Sequence, residues 1–173
     1  MIQRFLNFFR SGKSSRELDS LDTSDPFKEL PHPGNEALFT RLKPLLGHHF
    51  GSYPAHPELS DRFFALAPPQ KTIQSYVYGY PVMANSEGLV FSWAYGGWSI
   101  MIKLQARHQA AARKDKGRIN SEYGKDWIEF PAWGGQPATA QEPAALEKSK
   151  SEWTNRLRYW MQLSCEDSLA SKE

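Results

Sequence analysis

The side chains best suited to metal or nucleophilic chemistry in this chain are five histidines and one cysteine, and their spacing decides what they can do. His48-His49 with His56, plus His32 and His108, is the only grouping that resembles a ligand set. Adjacent histidines in a Pro/Gly-rich loop lack the i, i+4 placement that puts two imidazoles on one helix face, and no nearby Cys pair or carboxylate completes a shell. They read as surface histidines, and no metal is expected. Cys165 stands alone, so it forms no internal bridge; it suits a reduced compartment and packs as a small apolar group. There is no Gly-x-Ser-x-Gly elbow. Gly96-Gly97 leads into a strand and lacks the Lys-Ser/Thr of a nucleotide loop, so it is a structural turn. No catalytic residue and no cofactor is expected.

Charge and aromatic side chains carry more information. The formal net charge is +2, which gives no global drive toward nucleic acid or an anionic membrane. Arg107, Arg113, Lys114, Lys116, Arg118 and Lys125 nevertheless crowd one segment against Asp115 and Glu122, while the chain from Asp126 onward tilts acidic. With Tyr123 and Trp127 that basic run could grip a nucleic-acid strand by charge and stacking, yet it is short and interrupted by acids, so a solvated loop is the preferred reading. Tyr76, Tyr78 and Tyr80, beside Met101, Lys103 and Arg107, form the expected partner-binding set, because large rigid side chains gain contact area at small entropic cost.

The elements that would position these groups follow from periodicity. From Leu89 to Leu104, two runs with bulky residues at alternate positions flank Gly96-Gly97. A two-residue turn aligns Tyr95 with Trp98, Trp93 with Ile100, Phe91 with Ile102 and Leu89 with Leu104, placing all eight on one apolar face. Thr72 to Met83 reads as a preceding strand, joined through a loop ending in Gly88. A three-residue loop sends Ile73, Val77 and Met83 to the bulky face and the tyrosines to the other; a four-residue loop swaps those sets, and the first is preferred because phenol hydroxyls want water or a partner. Asp126 to Trp133 adds a fourth strand.

Helices frame the meander. Asn35 can cap one whose stripe is Leu38, Leu42, Leu45 and Leu46, with Pro44 splitting its end, and a second starts at Pro57 and buries Leu59, Phe63 and Leu66. Gln105 to Lys116 is Ala-rich and either helical or a loop. A long helix from Pro143 carries Leu146, Trp153, Leu157, Trp160 and Met161 as a stripe that covers the sheet. The expected fold is therefore α+β: an antiparallel meander of about four strands, two short N-terminal helices and a long C-terminal helix packed on the sheet. Residues 1–34 form an amphipathic segment and linker, and 35–173 one domain of ordinary size for this length.

Ile2, Phe5, Leu6 and Phe9 make one apolar face over residues 1–10; a docked helix or frayed terminus is preferred to membrane association, since a single short helix binds lipid weakly. No secretory signal is read, so a cytoplasmic location is expected. The functional expectation is a small protein that binds another protein, in the manner of a toxin-neutralising immunity protein of bacteria or a similar inhibitor, which it resembles in size and architecture alone. The alternative is an enzyme or small-ligand binder whose pocket lies between sheet and C-terminal helix, lined by Trp127, Trp133, Trp153 and Trp160 with Glu129 or His108 as polar members.

Overall fold

A computed structural model describes residues 25–43, 54–134 and 143–170. The amphipathic face of residues 1–10, the His48-His49 pair and Leu45-Leu46 lie outside the described residues. The fold is α+β. Helices α1 (Glu36–Leu42) and α2 (Pro57–Phe64) precede strands β1 (Thr72–Val77), β2 (Tyr80–Asn85), β3 (Val90–Tyr95) and β4 (Ser99–Lys103). Helix α3 (Ala106–Lys114), strands β5 (Arg118–Ile119) and β6 (Trp127–Pro131), and helix α4 (Pro143–Ala170) follow. The sheet has six strands, in the order β1-β2-β3-β4-β6-β5, all paired antiparallel.

Two features raise the strand number above four. The run from Thr72 is broken by a turn at Tyr78 and Gly79, whose φ angles of 50° and 80° fold it into the β1–β2 hairpin. Two positive angles in a row are what a two-residue hairpin turn requires, and Gly79 takes the second without strain. The other addition is β5, too short for any periodicity to announce it, which pairs with the far side of β6.

The central hairpin departs from the expected register by one residue. Tyr95 pairs with Ser99, Ala94 with Ile100 and Trp93 with Met101, so Gly96, Gly97 and Trp98 form a three-residue loop. Because side chains alternate, that slip turns β4 over relative to β3. Ile100, Ile102 and Leu104 face α2 and α4, whereas Trp93 shares the opposite side with Met101. A bulge opposite Met83 and Ala84 then brings Phe91 back to the helix side while Val90 stays with Trp93. The eight residues expected on one face are thus divided: Trp93 is fully buried and Trp98 is 64% exposed.

Both sheet faces are covered. On one, Trp153, Leu157, Trp160, Met161 and Cys165 of α4 join Leu59 and Phe63 of α2 over Phe91, Ile100, Ile128 and Phe130. Phe130 stacks on Trp160 with centroids 5.9 Å apart. Gly117 admits the close approach behind this layer, since a Cβ there would sit 2.7 Å from the Ala112 carbonyl oxygen and from Ile128. On the other face, Leu38, Phe39 and Leu42 of α1, with Leu30, pack on Val77, Tyr80, Val82, Trp93, Met101 and Trp127.

Residues 26–35, read from the sequence as the end of a linker and a helix cap, are two short 3-10 turns held against the sheet. Asn35 makes no side-chain cap. Its buried amide instead donates to the carbonyls of Leu30 (3.1 Å) and Gly88 (2.8 Å) and accepts from the Val90 N–H (2.8 Å), stitching the N-terminal arm to the β2–β3 loop. Among the described residues no helix is long and apolar enough to cross a membrane.

Candidate functional site

The β3–β4 loop is fixed from two flanks. The Gly96 N–H donates to the Pro54 carbonyl (2.8 Å), and the Gly96 carbonyl accepts from the His56 N–H (2.7 Å). On the other flank, the Trp98 carbonyl accepts from the Ala132 N–H (2.6 Å), and the Trp133 indole donates to the Gly97 carbonyl (2.9 Å). A glycine at 96 meets the loop's need for a φ of +62°. These bonds tie down main chain and leave the Trp98 indole free at 64% exposure, with Trp133 at 37% beside the same loop.

Positive charge gathers behind Trp133. The Arg62 guanidinium lies 4.8 Å from the Trp133 ring centroid and donates to the Ala132 carbonyl (2.6 Å) and the Thr154 hydroxyl (3.2 Å). Burial, and then the neighbouring Arg158, lower its pKa. Lys116 donates to the Gly134 carbonyl and lies over the Trp153 ring at 5.0 Å. A tryptophan pair with a basic flank can fill an apolar socket and meet an acidic rim.

A second convergence surrounds Glu129. Tyr95 (3.0 Å) and Ser99 (2.7 Å) donate to one carboxylate oxygen, which also lies 3.3 Å from Arg118, and Asn120 donates to the other at 3.4 Å. These partners come from β3, β4, β5 and the β5–β6 loop, so the carboxylate ties one end of the sheet together. Its hydrogen-bonding capacity is spent on structure rather than held open for a substrate proton.

The phenols around it resist ionisation. Burial pushes the Tyr123 hydroxyl up to about 12, with smaller contributions from Tyr95, Glu122 and Glu129, and burial also raises Tyr80 and Tyr95. A group whose folded pKa is raised contributes stability that is complete below its unfolded value, near 10, and is lost above it. Alkaline unfolding is therefore expected between about pH 10 and 12. Tyrosinate absorbance and circular dichroism followed in one titration should change together; full tyrosine ionisation with an intact fold would contradict it.

The expected partner-binding set does not assemble into one surface. Tyr80 and Met101 are fully buried against the Trp93 layer, Tyr78 is nearly so, and only Tyr76, at 50% exposure, stands open, its ring 5.5 Å from Phe64. Tyr78 and Tyr80 lie on the side that α1 covers, with Ile73 and Val77, while Met83 faces α2 and α4 and Tyr76 stands beside Phe64 of α2, so neither the tyrosines nor the three residues expected on the bulky face stay together. Lys103 ends β4, three strands away from Tyr76 on β1, and Arg107 on α3 is drawn to Asp167 at 2.7 Å.

The expected tryptophan pocket is not formed either. Alternation along β6 puts Trp127 on the Trp93 side, while Trp153 and Trp160 sit in the packed layer beneath α4 and Trp133 lies at the rim. Their indoles bond elsewhere, Trp153 to the Pro131 carbonyl and Trp160 to Asp115. A cavity of about 330 Å³ does open between sheet and α4, but nearer the C-terminal turns, between Leu89, Phe91 and Leu104 on one side and Ser164, Asp167 and Ser168 on the other.

Two histidines have acquired local roles. His32 and His56 cap the turns that follow them, their Nδ1 atoms accepting from the N–H groups of Gly34 and Glu58. Among the described residues no group of three His, Cys, Asp or Glu side chains is placed to hold a metal. Cys165 is buried, and burial raises its thiol pKa. The sequence predicts Trp98 on the apolar face and Trp133 in the tryptophan pocket; the available signal for their exposure is that each adjoins glycines near the end of a strand. Compared with known proteins, the chain matches no family model, no curated protein and no solved structure.

Proposed function

We propose that this chain acts by binding another protein, one that offers an apolar socket with an acidic rim to Trp98 and Trp133. The observation that carries the proposal is a tryptophan left 64% exposed on a loop whose main chain is anchored to both α2's approach and the end of β6. Leaving so large an apolar side chain in water is unfavourable, and an indole carried on a preorganised main chain has only its own side-chain torsions to order on docking, so such residues are typical binding hot spots. Arg62, Lys116 and Arg158 supply the charge complement. A rigid plug of this kind suits an inhibitor, and a toxin-neutralising immunity protein is the form of inhibitor we favour.

The test is capture of the partner by the intact chain, identification of that partner, and measurement of its affinity for Trp98→Ala and Trp133→Ala. Trp98→Ala should weaken binding by roughly 30-fold or more while shifting stability by no more than about 0.5 kcal/mol. Binding to the identified partner should also weaken with added salt. An identified partner that tolerates both replacements but is lost on Lys103→Glu with Arg107→Glu would overturn this surface in favour of the sheet end and basic segment.

A further inference from the structure

The geometry points to a second, separate site: the cavity between the sheet and the C-terminal turns of α4 binds a small organic carboxylate with an apolar body. Its inner wall is Leu89, Phe91 and Leu104, and its volume of about 330 Å³ lies at the lower end of the range for small-molecule sites. That is space for roughly ten waters, enough for a single ring or short aliphatic chain with one polar head.

The polar lining selects the head group. Ser164 donates to the carbonyls of Phe91 and Lys103, and Ser168 donates to the Cys165 carbonyl, so both hydroxyl protons are committed. Asp167 is neutralised by Arg107 at 2.7 Å and flanked by His108 at 3.4 Å. Lys103, Lys125 and Asp126 are the remaining charged residues lining the cavity, two cations against one anion. The start of α3 at Ala106 also borders it, adding the positive end of a helix to a rim that the lysines already make basic. A carboxylate can take charge-assisted hydrogen bonds from two lysines against the single uncommitted anion Asp126, whereas an ammonium head meets that same excess of positive charge. Lys103 closes β4 at the end opposite the loop that carries Trp98, so this site and the protein-binding loop occupy different ends of one strand.

Calorimetric titration of the full chain with phenylacetate, phenylacetamide and phenethylamine tests the proposal. Phenylacetate should bind at least about tenfold more tightly than the amide, and the amine least of all. Methyl resonances of Leu89 and Leu104 should shift on addition of phenylacetate. Lys125→Ala, at an exposed position, and Lys103→Ala should each weaken phenylacetate severalfold with melting temperatures near that of the parent, whereas Trp98→Ala should leave it unchanged. No heat at millimolar phenylacetate, equal binding of acid and amide, or preference for the amine would overturn the site.

Discussion

Replacing Trp93 by alanine is expected to lower the unfolding free energy by about 3–5 kcal/mol, the range for deleting a buried tryptophan. The indole is fully buried and lies within ring contact of Tyr95 (5.2 Å), Tyr123 (4.7 Å), Tyr80 (5.7 Å) and Trp127 (6.5 Å). Those four rings come from β2, β3, β6 and the β5–β6 loop, so no single segment can collapse into the space left behind. Trp98→Ala removes an equally large side chain five residues away and should cost no more than about 0.5 kcal/mol. Equilibrium denaturant melts of the two variants therefore read the hairpin register directly. A two-residue turn would give both indoles the same dry interior and similar losses; the three-residue loop makes them differ at least about sixfold in free energy. Similar losses would refute the described pairing.

Asn35→Ala is expected to cost about 2–4 kcal/mol, although Asn35 belongs to no hydrophobic cluster. The side chain is 1% exposed and serves three main-chain groups from two distant segments. Its loss leaves the Val90 N–H and the Gly88 and Leu30 carbonyls without that partner in a region that excludes water, and each orphaned group carries a desolvation cost. Asn35→Asp keeps the acceptor for Val90 but loses both donors and buries a charge. At neutral pH it should be at least as damaging as alanine. Burial raises such a carboxyl's folded pKa, so the penalty relative to the parent should shrink as the pH falls and the protonated acid regains one donor. Thermal melts across acidic and neutral pH check both statements. A harmless Asn35→Ala would mean that the N-terminal arm is not stitched to the β2–β3 loop in solution.

These two residues show where sequence reading succeeds and fails. The β2–β3 turn, closed by the Asn85 N–H on the Leu89 carbonyl with Gly88 at φ 83°, was legible because its glycine marks a left-handed position, but the faces it was expected to fix were not: Ile73 and Val77 lie with Tyr80, opposite Met83. The long α4 was legible because Trp153, Leu157, Trp160 and Met161 recur at helical spacing, and all four are buried. The loop beginning at Gly96-Gly97 was legible as a turn, but its length was not, since two or three loop residues leave local chemistry equally satisfied. What selects three is the pairing of Trp98's carbonyl with Ala132 and of Gly96 with Pro54 and His56, contacts made by residues distant in the chain. Asn35 illustrates the same limit: its type suits a helix cap, and only the arrival of Gly88 and Val90 redirects its amide.

By itself, then, the sequence determined the α+β class, the helical and extended segments with strong periodicity, and the glycine positions that bend the chain, because each of these is decided by neighbours a few residues apart. The tertiary structure decided which tryptophans are dry and which meet water. A one-residue slip or a single bulge exchanges the two faces of a strand at little local cost, and the exchange is fixed only when both faces are covered, by α2 and α4 on one side and by α1 on the other.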